Sequence, residues 1–318
     1  MGSIDVHHHI QPPEYVAAIG SVAIAGPAVA SAVDWGAQRS LEAMDKNGIE
    51  AAVVSISAPG VWVGEQSGTT RLARVCNEFS AQLCADHPGR FGWLAALPLP
   101  DVGAALDETA YAFDQLGADG ALLLTNYGNR YLGHPGFEPL LAELDGRGAV
   151  VALHPTSCDC LDAVPEIPRS VIEFPHDTTR TVCSLLFGGS LLRYPNIRWL
   201  LPHGGGTLAF LAHRIAGVLN LRPNLREHAP GGVISALQSL YYDTAFAANP
   251  PSFAALRELA PGDHILFGTD FPFAPEAFMA ASVAGLAEVA DGAAAFESVS
   301  RRNAQTLFPR FAEHVESV

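Results

Sequence analysis

Residues 4–10 read Ile-Asp-Val-His-His-His-Ile. The apolar start predicts a strand, and in a strand side chains two apart project to the same face. His7 and His9 then share one face and His8 takes the other. Two imidazoles ~7 Å apart at Cα can share one divalent ion, for which neutral imidazole is a common ligand. A tag remnant or a solvated turn is the competing reading of adjacent histidines. Three are too few for a tag, and the preceding Ile-Asp-Val favours a strand. By itself the segment leaves metal binding open.

Moving outward, seven further short apolar runs follow, at 51–56, 92–97, 121–125, 150–154, 197–201, 240–243 and 265–268. With 4–8 they make eight. Between them lie stretches with helical spacing at 39–46, 71–86, 104–116, 135–147, 178–193, 208–219, 251–259 and 276–289, and residues 293–308 predict one more helix at the end. Apolar runs without period-two alternation suit strands covered on both faces, as in a parallel sheet. Eight β/α units in 318 residues predict an α/β fold of the (β/α)8 TIM-barrel type, one domain over 1–318. A doubly wound open sheet would explain the alternation but not the count of eight. No linker-like stretch, internal repeat or low-complexity tract divides the chain.

Composition narrows the partners. Lys and Arg number 18 against 33 Asp and Glu, a formal charge of −15, with 49% apolar and 16% charged residues. That balance excludes a broad nucleic-acid or anionic-membrane surface, which needs a basic face. An anionic small molecule stays open, because one local arginine can outweigh a distant net charge. No apolar stretch reaches the ~20 uncharged residues of a membrane helix; the longest, 15–33, is broken by Gly20, Gly26 and Pro27. The start, Met-Gly-Ser-Ile-Asp, lacks a basic leader segment, and Val6 stands where a myristoylation motif wants Ser or Thr. Five cysteines (Cys76, Cys84, Cys158, Cys160 and Cys183), with no paired CxxC clusters, predict reduced thiols in the cytoplasm. Cys158 and Cys160 are too few for a soft-metal site and read as free thiols.

Active sites of such barrels gather at the C-terminal ends of the strands. The fifth run ends in His154-Pro155-Thr156, the sixth in Pro202-His203-Gly204-Gly205-Gly206, and the eighth in Phe267-Gly268-Thr269-Asp270-Phe271-Pro272. A lone His or Asp at such a place is usually a satisfied core side chain or a cap. Coincident placements on strands 1, 5, 6 and 8 predict a site. A catalytic metal wants three or four ligands converging from different elements, with a position left open. His7, His9, His154 and Asp270 satisfy that count, leaving His203 as a nearby acid or base.

Taken together, these segments resemble the amidohydrolase superfamily. The motifs are residues 4–10 with Pro12-Pro13, Met44-Asp45-Lys46-Asn47-Gly48-Ile49, the three strand ends above, and Asn303-Ala304. They run in order over nearly the whole chain. The His-Gly-Gly-Gly segment is most similar to the branch of metal-dependent nonoxidative decarboxylases acting on aminocarboxymuconate semialdehyde, γ-resorcylate and 6-methylsalicylate.

The resemblance implies one divalent ion, zinc first and manganese second, held by His7, His9, His154 and Asp270. It implies a carboxy-lyase releasing CO2 from a small hydroxyaromatic acid, with His203 and Asp270 as the catalytic pair. Either one is then the proton donor to the ring carbon. Arg214, eleven residues after His203, matches an arginine that the family places near the neighbouring subunit's site, which implies a homodimer or a larger even assembly. Strand 4 ends Leu124-Thr125-Asn126-Tyr127 without the lysine that bridges two metals in many relatives, so one ion is expected. The loop 21–35 has no arginine, unlike the semialdehyde enzymes. Residues 124–128 and 174–180 look most like the 6-methylsalicylate group, pointing to a salicylate-type acid. Asn126, Tyr127, His176, Arg180 and Phe273 join Arg214 as candidate substrate contacts, with His176 and Arg180 on a loop leading into a helix. A lactone or cyclic-ester hydrolase on the same metal site is the alternative; a non-catalytic barrel is disfavoured because all five strand-end polar residues are intact.

Overall fold

The structure is a computed structural model, which describes residues 2–25, 34–156, 164 and 166–312. Cys158 and Cys160 lie outside the described residues. Eight parallel strands stand in chain order around one sheet: β1 (Ser3–His9), β2 (Ile49–Ser55), β3 (Phe91–Ala96), β4 (Gly120–Leu124), β5 (Val150–His154), β6 (Arg198–Leu201), β7 (Tyr241–Asp243) and β8 (Ile265–Leu266). Closure is made just past β8. Val6 N–H donates to Phe267 O, Asp270 N–H to His7 O and His9 N–H to Phe271 O, at 2.7–2.9 Å. The expected eight-fold β/α barrel is therefore present, each predicted run falling on one strand.

Two apolar layers hold it. Ile4, Val6, Val53, Leu94, Leu122, Ala152, Leu200 and Leu266 fill the barrel interior. Leu307, Phe308 and Phe311 from the C-terminal segment join this cluster and plug the lower end. A second, larger layer packs strand residues such as Trp93, Leu123, Val151 and Tyr242 against the surrounding helices. Near-continuous burial of every strand is why the runs lack alternation.

Three local features depart from the sequence reading. Two short helices, Pro13–Ile19 and Ser21–Ala25, precede the third at Ala37–Lys46. The helix expected from 178 starts at Arg169 and runs to Phe187 straight through Pro175, so His176 sits inside the helix rather than on a loop ahead of it, and Arg180 lies well within the helix rather than near its start. Proline costs a helix its N–H bond and normally ends it. Here His176 Nδ1 donates to Ile172 O at 2.8 Å and Thr179 Oγ1 to Pro175 O at 3.0 Å, which satisfies carbonyls on both sides of the break. The closing helix carries a π turn, Ser298–Arg302, between Ala293–Glu297 and Asn303–Leu307.

Candidate active site

The β1 register slips between Asp5 and His8 against β2. Such an irregularity shifts the inward parity of a strand. Ile4 and Val6 point into the barrel below it, and His7 and His9 point in above it. His8 is turned out, where its Nδ1 meets Asp5 Oδ2 at 3.1 Å and its Nε2 meets Ser40 Oγ at 2.9 Å. Asp5 also accepts from Thr269 N–H at 3.0 Å and Thr269 Oγ1 at 2.5 Å, tying the β1 end to the segment carrying Asp270.

His7, His9, His154 and Asp270 each bring one ligand atom into a group whose members lie within 4.8 Å of one another. Each imidazole is oriented from behind. His7 Nδ1 donates to Asp243 Oδ2 at 2.7 Å, His9 Nδ1 faces Ser55 Oγ at 3.1 Å and Ser55 O at 3.4 Å, and His154 Nδ1 donates to Pro155 O at 2.8 Å. A carbonyl or carboxylate only accepts, so these bonds put a proton on Nδ1 and leave Nε2 as the atom turned toward the centre of the group. The Nε2 atoms of His7 and His9 then face each other at 3.0 Å, with Asp270 Oδ1 at 3.3 and 3.1 Å. Asp270 Oδ1 is buried without a hydrogen bond. Three Nε2 atoms and a carboxylate oxygen converging at these distances fit a divalent cation once His7 gives up its proton, and an N3O set with outer partners is a familiar donor arrangement for one.

Burial disfavours charge on every group here. On His7 the Asp243 and Asp270 carboxylates outweigh it, raising its pKa well above the ordinary 6.5. His9 and His154 have no such surplus: burial lowers both, His154 well below 6.5 with His9 and His7 adding repulsion. For Asp270 burial pushes upward, but His7, His203 and His9 hold the carboxyl well below the usual carboxylate range.

His203 stands beside this group, its Nε2 3.5 Å from Asp270 Oδ2 and buried without a hydrogen-bond partner. Its backbone N–H donates to Asp243 Oδ1 at 2.9 Å, so Asp243 aligns both His7 and His203. The turn that presents it is tight. His203 has φ 56°, and at Gly206 (φ 67°) a Cβ would lie 2.2 Å from Pro175 O, which explains why glycine follows here. Asp270 (φ 63°) and Phe246 (φ 55°) are also left-handed, so three rim positions hold strained backbone.

Above the group opens a cavity of about 670 Å³. His154, His203, Asp270 and Phe273 line it, together with Phe174, Phe246, Ile24 and Arg169. Ring centroids lie 5.4 Å apart for Phe273 and His9, 5.7 Å for Phe246 and His203, and 6.2 Å for Phe174 and His154. The other candidate contacts sit elsewhere. Asn126 Nδ2 donates to the buried Asp177 at 2.9 Å, while Tyr127 packs on Phe137 and accepts Leu124 N–H at 2.9 Å. Arg180 points to Asp177 at 3.9 Å, His176 is exposed, and Arg214 is exposed on the helix Leu208–Leu221. The sequence reading gave no role to Asp243, Arg169, Phe174 or Phe246. Asp243 carried a usable signal, a carboxylate ending a barrel strand; the others reach the cavity only through the course of loops.

The amidohydrolase family pattern matches residues 4–310. A decarboxylase of Aspergillus niger, yanB, is 37% identical over 328 residues, covering 98% of this chain and 88% of that protein. The 6-methylsalicylic acid decarboxylase of Penicillium expansum is 37% identical over 280 residues, 86% of each chain. Among solved structures, a dihydroxybenzoic acid decarboxylase from Polaromonas, with bound manganese and the inhibitor 2-nitroresorcinol, superposes with a TM-score of 0.81 at 22% identity, covering 97% of each chain. The last likeness speaks for the fold; the family match and the two relatives decide membership, and this chain belongs to the amidohydrolase family.

Proposed function

We propose that this protein is a carboxy-lyase that removes CO2, without oxidation, from a small hydroxyaromatic acid of the salicylate type, 6-methylsalicylate being the leading candidate. The observation that carries it is the pairing of a convergent His7–His9–His154–Asp270 donor set with an aromatic-walled cavity, in a chain 37% identical to a protein named for that reaction.

These four residues would hold one divalent ion, zinc or manganese, both of which accept nitrogen and oxygen ligands. When bound, the ion would supply a Lewis acid that anchors the acid's oxygens and acidifies an ortho phenol. The remaining work falls to the chain. Phe174, Phe246 and Phe273 offer ring faces and edges to a flat substrate and exclude water from it. Expelling CO2 directly would leave an aryl carbanion, so the ring carbon must gain a proton first. His203 Nε2 and Asp270 Oδ2 both face the cavity and share one line of contact, and a proton can pass between them to that carbon. His203 is the stronger choice of donor, because Asp270 is held ionised by its imidazole neighbours.

Two further readings belong here. Arg214 would work in a homodimer, supported by Phe210, one turn away and 89% exposed, and by Leu221 on the same helix. Action in the cytoplasm is supported by the free Cys76, Cys84 and Cys183.

The test is direct: metal-quantified protein is incubated with salicylate, 6-methylsalicylate and resorcylates while CO2 and absorbance are followed. CO2 release that a chelator abolishes and zinc or manganese restores is the expected result. Metal-loaded protein that releases no CO2 from any of them, but opens lactones, would replace this reading with a hydrolase.

A further inference from the structure

His8 is the one histidine of β1 that the donor group does not use, and it belongs to a chain of its own. Trp35 Nε1 donates to Ser40 Oγ at 2.8 Å, Ser40 Oγ lies 2.9 Å from His8 Nε2, and His8 Nδ1 lies 3.1 Å from Asp5 Oδ2. Ser40, His8 and Asp5 are fully buried, and Trp35 is half-buried. An indole N–H only donates and a carboxylate only accepts, so the hydrogen bonds run one way, from Trp35 through Ser40 and His8 to Asp5. Serine, histidine and aspartate at these distances have the layout of a hydrolytic triad. Ser40 is no nucleophile, because its hydroxyl is fully buried and already accepts the Trp35 N–H.

The chain ends instead on the backbone of the donor group. Asp5 Oδ1 accepts the N–H of His7 and the N–H of Thr269, both at 3.0 Å, and Asp5 Oδ2 accepts Thr269 Oγ1 at 2.5 Å. Thr269 immediately precedes Asp270 and takes the Phe271 N–H on its own Oγ1 at 3.2 Å. One carboxylate thus grips the peptide of one candidate ligand and the peptide next to another, where β1 closes the barrel against the segment after β8. The side chains of those two ligands meet at 3.3 Å, His7 Nε2 to Asp270 Oδ1. His8 fixes how the Asp5 carboxylate is turned, and Ser40 fixes the His8 ring, which lies 5.1 Å from that of Phe271. Buried polar chains act as a unit, because each bond orients the next.

We propose that Ser40 and His8 are positioning residues that, acting through Asp5, set the spacing of His7 and Asp270 and with it the affinity for the ion, a role that rests on the reading of His7, His9, His154 and Asp270 as metal ligands. Asp243 acts on the His7 ring, whereas this chain acts on the His7 backbone, so the two supports are independent. The helix Ala37–Lys46, none of whose residues lines the cavity, thereby takes part in shaping the metal site.

The experiment measures the manganese Kd of wild type, Ser40→Ala, His8→Asn and Asp243→Asn, and of Ser40→Ala combined with each of the other two, by competition with a chromophoric chelator. Ser40→Ala should raise the Kd about three- to tenfold, less than the 10–100-fold typical of a direct partner of a ligating histidine. Adding it to His8→Asn should raise the Kd no further, because both break one chain, whereas its effect and that of Asp243→Asn should multiply. Asp177→Ala, a destabilised protein outside the chain, should keep the wild-type Kd. Ser40→Ala removes a single oxygen, so it decides even if His8→Asn does not fold. An unchanged Kd in Ser40→Ala, full multiplication of the Ser40 and His8 effects, or an equal loss in Asp177→Ala, which would mean a merely structural role, would each overturn the proposal and leave the metal reading standing. A wild type that binds no manganese would overturn both.

Discussion

His7 of β1 and Asp243 of β7 meet at 2.7 Å although 236 residues apart in the chain, and the same carboxylate reaches the His203 backbone N–H at 2.9 Å. One buried side chain thereby orients the imidazole proposed as a metal ligand and positions the one proposed as the acid. Partners behind a ligating histidine typically contribute 10–100-fold to metal affinity. Asp243→Asn, which keeps the shape and removes the charge, should weaken metal binding by about tenfold or more. Competition with a chromophoric chelator reads this, and an unchanged affinity would show that Asp243 does not set the ligand.

Metal loading should release protons. In the ion-free protein Asp243 and Asp270 raise the His7 pKa well above 6.5 despite burial, so near neutrality a proton occupies the position the ion must take. Apparent affinity should therefore fall as pH falls, from the raised His7 value downward. Calorimetric titration of the ion in buffers of different ionisation enthalpy checks this. Heats independent of the buffer between pH 6.5 and 8 would contradict the sign.

His203→Asn should separate chemistry from metal binding. The His203 imidazole faces Asp270 Oδ2 at 3.5 Å and stands outside the four-residue ligand group. Loss of a general acid costs roughly 10²–10⁴ in rate. The expected variant keeps its full metal content and loses kcat in that range; retained activity would remove His203 from the mechanism.

Asp177 is a stability prediction. It is fully buried and accepts hydrogen bonds from Thr125 Oγ1, Asn126 Nδ2 at 2.9 Å and Tyr131 OH at 2.7 Å, clamping the helix Arg169–Phe187 to the end of β4. Asp177→Ala strands three donors at about 1–3 kcal/mol each, so a loss of about 3 kcal/mol or more is expected in urea unfolding. A change below about 1 kcal/mol would mean that water replaces the carboxylate.

The homodimer reading predicts that Phe210→Glu yields a monomer. A ring 89% exposed on the helix that carries Arg214 is unusual unless something covers it. Sedimentation of wild type and variant decides, and a monomeric wild type would end the reading.

The barrel was legible because its determinants are local. Buried parallel strands must be apolar throughout, and the helices between them must carry an apolar stripe; both leave their periods in the chain. The clustering of His7, His9, His154 and Asp270 was legible for a related reason: strand ends in a barrel converge, so the four could be paired with one another from their places after apolar runs. The helix through Pro175 was not, since local rules end a helix there, whereas the helix runs on past it with side-chain bonds from His176 and Thr179 to neighbouring carbonyls.

By itself, the sequence determined the eight-fold β/α order and which polar side chains stand at the C-terminal ends of the strands, because both follow from residues adjacent in the chain. Tertiary structure alone decided how His7 and His9 look inward together with Ile4 and Val6, since regular parity from Ile4 and Val6 would place His8 inside and a register slip against β2 places His7 and His9 there instead. It also chose Asp243 as the partner of His7, kept Asn126 and Tyr127 off the cavity wall, and put Arg169 on it. Those outcomes depend on hydrogen bonds and backbone turns between segments remote in sequence, whose energies exist only once the barrel has closed.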